Sequence, residues 1–242
     1  LEKHAESLGG ILLVAERIGE SGVGMVLPRG YSADTVAYRL LMDPIDGTRG
    51  IMYDKRSAFF LAGVAPNNPT TTLRDIEVAV MVELPTSRHA VYDVLWAVKG
   101  KGAHRQTCHI ESGKSWGNSL KPSKSTSLYG GFAQIARFFP PGRDVLAAVE
   151  EEMIHLLFPE APEGKAILFE DQYISSGGQL YELMVGHDRF TADIRTVLFS
   201  QMRKKGQKTG HVCHPYDLCT LLIAEEAGVT ITDIEGKPLD AP

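Results

Sequence analysis

The chain has 242 residues, 43% of them hydrophobic and 23% charged, with a formal net charge of -5. That length and a mean hydropathy of -0.09 describe a sequence able to bury a substantial core, and they exclude a disordered chain. A net negative chain lacks the basic footprint of a nucleic-acid polymer binder or an anionic-membrane binder, so an anionic substrate has to be attracted locally.

In chain order, the first apolar run is GGILLVA at 9–15, which stops at Glu16. It is far shorter than the ~20 apolar residues that cross a bilayer, and its flanks do not suit a signal peptide. VAYRLLMD at 36–43, AFFLAGVA at 58–65 and IEVAVMVEL at 76–84 are apolar, partly β-branched runs bounded by Pro, Gly and Asn, which predicts strands. HAVYDVLWAVKGKGAH at 89–104 predicts another strand entering a glycine turn. Trp96, Trp116 and the Phe59-Phe60 pair read as core or strand-face residues, because no basic residues are interleaved with them to make a base-stacking platform.

Further along, RDVLAAVEEEMIHLLF at 143–158, GQLYELMVG at 178–186 and YDLCTLLIAEEA at 216–227 have helical patterns, the last stopped by Gly228 as a C-terminal cap. The Glu150-Glu151-Glu152 run reads as a solvated helix face. FPEAPEG at 158–164 reads as a connection and FSQMRKKGQKTGH at 199–211 as an exposed insertion. Strands and helices in this order predict a layered α/β or α+β domain. We expect one unit with approximate lobes 1–140 and 141–242, and native sequence beyond both Leu1 and the closing LDAP. The three cysteines, Cys108, Cys213 and Cys219, make no even disulfide framework and suit a reducing, cytoplasmic setting.

The chemistry concentrates in LLMDPIDGTRG. Pro44 holds Asp43 in extended geometry at a strand tip, and Asp46-Gly47 is a turn dipeptide. A short turn brings both carboxylates and the Ile45 carbonyl to one side, a set of hard oxygen ligands that suits Mg²⁺. The backbone N–H groups of Gly47 and Thr48 are placed to hold a phosphate, and the Thr48 hydroxyl to orient a water. Taken alone, the same residues also describe an ordinary Asp-Pro, Asp-Gly turn. The haloacid dehalogenase loop requires nucleophilic and acid aspartates two apart, and Pro44 stands at that position, so a phospho-aspartyl mechanism in that register is excluded.

Other constellations fail on spacing. His211, Cys213, His214 and Cys219 fit no standard zinc pattern. Gly113-Lys114-Ser115 lacks the first P-loop glycine, because position 108 is Cys. Ser21 misses a nucleophile elbow because Val23 replaces the second glycine.

Residues 43–48, D-P-I-D-G-T, resemble the signature of the inositol monophosphatase-like, lithium-sensitive phosphatase family. PYDLCTLLIAEEAG at 215–228 is similar to the family's second element, with Asp217 at the ligand position. VTITDIEGKPLD at 229–240, KGKGA at 99–103 and SSGGQLYELMVG at 175–186 extend the resemblance over most of the chain from about Glu16.

The resemblance implies a layered α/β/α/β/α sandwich of the inositol monophosphatase and fructose-1,6-bisphosphatase type. It also implies two or three Mg²⁺ ions, with Mn²⁺ as a substitute. Glu16, Asp43 and the Ile45 carbonyl would hold one ion, and Asp43, Asp46 and Asp217 a second. Thr48, with Glu16 and Asp46 as further catalytic groups, would position the attacking water, with no covalent phosphoenzyme. Gly47 and Thr48 would contact phosphate, and Ser176 the substrate.

The implied substrate is a small phosphate monoester such as an inositol monophosphate, with a 3′(2′),5′-bisphosphate nucleotide or a sugar bisphosphate as alternatives. A homodimer is a further implication. The chain departs from the family pattern at Arg17, where a second glutamate is usual, so that Glu20 is the alternative ligand to Glu16. It departs again at Tyr216 in place of Trp and at Leu218-Cys219-Thr220 in place of small residues. These departures leave a different class open, a catalytically inactive relative that serves as a binding or scaffold protein.

Overall fold

The computed structural model describes residues 1–18 and 24–241. Glu20 and Ser21 lie outside the described residues. Strands β1 (Ile11–Ala15), β2 (Met25–Leu27), β3 (Tyr38–Asp46), β4 (Ala58–Pro66), β5 (Val78–Leu84), β6 (Val91–Val98), β7 (Ala103–His109) and β8 (Ser115–Asn118) form one sheet in the order β2-β1-β3-β4-β5-β6-β7-β8. The β1–β3 pair is parallel and every other pair antiparallel. Strands β9 (Phe132–Ile135) and β10 (Asp188–Ala192) make a second, parallel pair. The helices are α1 (Glu2–Ala5), α2 (Thr48–Met52), α3 (Arg143–Leu157), α4 (Ser176–Val185), α5 (Arg195–Lys204) and α6 (Leu221–Ala227). A 3₁₀ turn at Pro215–Leu218 precedes α6. Among the described residues no helix is long and apolar enough to cross a membrane.

The alternation of buried and half-buried residues along β4 shows how the core is built. Phe59, Leu61 and Ala65 point to the face covered by α4 and α6, where they join Met81, Leu95, Met184 and Ile223. Burying one such side chain contributes roughly 1.5–3 kcal/mol, so this layer is the main support of the fold. It also holds α4 and the 3₁₀ turn against the ends of β3 and β4.

Three sequence expectations change. The stretch read as an exposed insertion at 199–211 begins inside α5, with Phe199 wholly buried. Its basic residues Arg203 and Lys204 occupy the last turn, where cations are stabilised by the helix dipole, so charge there marks a helix end rather than a loop. Glu150, read as part of a solvated face, is buried. It accepts the Ile135 backbone N–H at 2.9 Å and pairs with Arg137, tying α3 to β9. Residues 216–227 likewise divide into the 3₁₀ turn and α6 rather than forming one helix.

Asp188 at the start of β10 is buried beside Glu182 and Asp171. Burial, then repulsion from those acids, raises its pKa from 3.8 to about 6. An acid whose pKa rises on folding is favoured in its neutral form, so its stabilising contribution is complete below about pH 4 and lost as pH rises through about 6. Asp188→Asn is therefore expected to raise stability by about 1–3 kcal/mol at pH 7 and to change it little at pH 4. Urea unfolding at both pH values reads this, and an equal effect at the two would contradict it.

Candidate active site

The aspartates of DPIDGT lie on a strand with a flaw in its register. On the partner strand Asp43 faces Leu61 and Asp46 faces Phe59, so three steps on β3 match two on β4. That extra residue is a β-bulge. Side chains three apart on a regular strand point to opposite faces. The bulge instead turns Asp43 and Asp46 to the same face, while Pro44 and Ile45 are exposed. Proline has no N–H to donate to a ladder, which is why it is tolerated inside this central strand only at the bulge. The Ile45 N–H, freed from the ladder, donates to Asp43 Oδ1 at 3.0 Å.

Three further elements end at the same point. The Glu16 N–H at the end of β1 donates to the Met42 carbonyl at 3.2 Å, which sets Glu16 beside Asp43 across the parallel pair. The first turn of α4 donates to Asp46 Oδ2 from the Gly177 N–H at 2.5 Å and the Ser175 hydroxyl at 2.9 Å. Asp217 arrives on the 3₁₀ turn, and its Oδ2 accepts the His214 N–H at 2.7 Å. Glu16, Asp43, Ile45, Asp46, Gly47, Thr48, Ser176 and Asp217, all the site residues expected from sequence, line one cleft of about 180 Å³.

Glycine is required where these elements meet. A Cβ on Gly177 would lie 2.7 Å from Leu61 Cδ2 and 3.0 Å from Asp46 Oδ2. Gly47 has φ +93°, and a Cβ there would meet Ser175 Cβ at 3.1 Å. Only a residue without a side chain permits α4 to approach β3 this closely.

The electrostatics are those of crowded acids. Asp43, Asp46 and Asp217 are 4%, 9% and 9% exposed, which removes most of the water that normally stabilises a carboxylate. Burial first, and then Asp46, Asp217 and Glu16, raise the Asp43 pKa to about 7 against the opposing Ile45 N–H. Burial raises Asp46 to about 7 as well, opposed by the Gly177 N–H and Ser175 and reinforced by Asp217.

Each aspartate uses one oxygen for positioning: Asp43 Oδ1, Asp46 Oδ2 and Asp217 Oδ2. Among the described residues no three of these acids close on a point as a finished ligand set. In donor chemistry the site nevertheless fits a hard divalent cation: carboxylates, a carbonyl at Ile45, and a charge deficit that a cation relieves. The Ile45 carbonyl already accepts the Thr48 hydroxyl at 2.8 Å, and a carbonyl oxygen has a second lone pair to give.

No protein-family model and no curated protein matches the sequence. Solved structures do match. A fructose-1,6-bisphosphatase from Leishmania major in its T-state superposes with a TM-score of 0.57 at 15% identity, over 93% of this chain and 66% of that one. An inositol monophosphatase from Anabaena (Nostoc) sp. PCC 7120 gives 0.55 at 16%, over 96% and 70%. A calcium-bound protein of the inositol monophosphatase family from Staphylococcus aureus gives 0.55 at 14%, over 95% and 64%. The chain has the inositol monophosphatase and fructose-1,6-bisphosphatase fold. It spans about two thirds of the length of these structures of that fold.

Sequence reasoning placed weight on Ser176, whose hydroxyl lies 3.4 Å from Cys213 Sγ. The serine whose side chain bonds Asp46 is Ser175, which also caps α4 by accepting the Gly178 N–H at 2.8 Å. The signal was present, since Ser before Ser-Gly-Gly and an apolar run is an N-cap pattern. Phe138, Phe139 and Arg195, which also line the cleft, had no such signal.

Ser175→Ala is expected to cost about 1–2 kcal/mol through the lost cap and the lost Asp46 contact. Ser176→Ala is expected to change stability by less than about 0.5 kcal/mol. Denaturant midpoints measure both, and equal losses would contradict the assignment of the cap to Ser175.

Proposed function

We propose that the protein is a metal-dependent phosphomonoesterase that transfers the phosphoryl group of a small phosphate ester directly to water. The observation that carries this reading is the meeting of three buried aspartates, from a bulged strand and a 3₁₀ turn, with Glu16 in one cleft. So many buried acids have little structural use, and their shifted pKa values mark a functional site.

In this reading Glu16, Asp43 and the Ile45 carbonyl hold one Mg²⁺, and Asp43, Asp46 and Asp217 a second, with Mn²⁺ as a substitute. When bound, such ions supply positive charge that neutralises the phosphoryl and leaving oxygens and makes water a better nucleophile. The remaining work belongs to the chain. Because Thr48 donates its proton to the Ile45 carbonyl, its hydroxyl oxygen is left to accept a hydrogen bond from the attacking water. Gly47 and Thr48 place backbone N–H groups at the start of α2 toward the phosphate. The water oxygen forms the new bond to phosphorus, the ester P–O bond breaks, and the alcohol leaves with the proton. A phospho-aspartyl step is not part of this reading, because it needs two aspartates two apart: Ile45 stands two after Asp43, and Pro44 two before Asp46.

Phosphate release from inositol 1-phosphate, nucleoside monophosphates and fructose 1,6-bisphosphate, with and without Mg²⁺ and Li⁺, tests the proposal. We expect Mg²⁺-dependent turnover that Li⁺ inhibits, and a fall in kcat/KM of at least about a hundredfold in Asp46→Asn, since even outer partners of metal ligands are worth 10–100-fold. No turnover of any ester would support the binding-protein alternative, and unchanged turnover in Asp46→Asn would remove the metal assignment.

A further inference from the structure

The cleft that holds the carboxylates is also lined by residues of different chemistry, Phe138, Phe139, Arg195 and His211, which form an aromatic wall. The rings make a continuous ladder. Phe138 and Phe139 meet edge-on with centroids 4.9 Å apart, Phe139 and His211 edge-on at 5.8 Å, and His211 and His214 at 5.1 Å. His214 then stacks flat on Tyr216 at 5.1 Å.

Arg195 does not make this wall cationic. It is buried, donates from Nε at 2.8 Å and Nη2 at 2.5 Å to Asp193, and donates from Nη1 at 3.3 Å to the His211 carbonyl. Its guanidinium lies 4.3 Å from the Phe138 ring centroid, so it fixes the ladder while Asp193 neutralises its charge. The hydroxyls nearby are also committed. Ser175 is bonded to Asp46 and Gly178, Ser176 contacts Cys213, and Thr48 donates to Ile45.

We infer that this wall receives the alcohol half of the ester and selects a planar aromatic one, a nucleoside phosphate, over a polyol phosphate. The inference rests on the hydrolase reading of the carboxylate end. A polyol loses water from every hydroxyl it buries and needs a partner for each, and the committed side chains offer few. A nucleobase needs only a ring face, and any base has one to give. Phe139 is the centre of the wall because its ring meets both Phe138 and His211. The acid end then takes the phosphate, and the ladder sets which alcohol carries it.

The test compares kcat/KM for phosphate release from adenosine and uridine monophosphates with that from inositol 1-phosphate, in the Mg²⁺-loaded wild type, Phe139→Leu and Phe139→Tyr. The wild type is expected to prefer both nucleotides. The nucleotide-to-inositol ratio is expected to fall at least about tenfold in Phe139→Leu, through KM, and to be retained in Phe139→Tyr. A wild-type preference for inositol 1-phosphate, or equal losses on both substrate classes in Phe139→Leu, would overturn the inference while leaving the hydrolase reading intact. If no ester is turned over the hydrolase reading fails, and calorimetric binding of adenosine monophosphate decides the wall alone. Binding at least tenfold weaker in Phe139→Leu sustains it, and binding that is absent or unchanged overturns it.

Discussion

The constraint on which the structure turns is the burial of three aspartates in one cleft. A buried carboxylate costs several kcal/mol unless it is hydrogen-bonded or neutralised, and like charges nearby add to the cost. The fold meets part of this with backbone and hydroxyl donors: Ile45 to Asp43, Gly177 and Ser175 to Asp46, and His214 to Asp217. Those bonds explain the local irregularities. The bulge in β3 frees the Ile45 N–H, Gly177 brings α4 within reach, and the 3₁₀ turn presents Asp217 before α6 begins. The donors still leave Asp43 and Asp46 with pKa values of about 7, a remaining deficit that a divalent cation is suited to offset.

The apolar core places these donors. Leu61 on β4 lies under Gly177, and its neighbours Phe59 and Met81 join the layer beneath α4 and α6. Sheet and helices pack so that the ends of β1 and β3, the start of α4 and the 3₁₀ turn converge. The aromatic ladder from Phe138 to Tyr216 adds rings to the lining of the same cleft. Acid and aromatic walls meet at the 3₁₀ turn, where His214 and Tyr216 of the ladder flank Asp217.

Much of this was legible in the sequence, for physical reasons. Apolar runs bounded by turn residues gave β3, β4 and β5, and D-P-I-D-G-T with Asp217 gave the acids that meet in the cleft. The bulge was not legible as such, because an odd spacing around proline reads equally well as a turn after the strand. Phe199 was misread because the basic residues after it suggested a solvated loop, although Arg203 and Lys204 close a helix. Glu150 was misread because local sequence does not show that Arg137 and the Ile135 N–H lie beside it. The aromatic wall depends on contacts between residues about 70 apart, such as Phe139 and His211, and no local pattern encodes them.

The central claim is that the buried acids form a site for divalent cations. Anomalous diffraction from crystals soaked in Mn²⁺ tests it most directly. The account predicts at least one peak within about 2.0–2.4 Å of carboxylate oxygens from Asp43 and Asp46, with Asp217 sharing a peak. Strong Mn²⁺ peaks elsewhere and none among these three aspartates would contradict it.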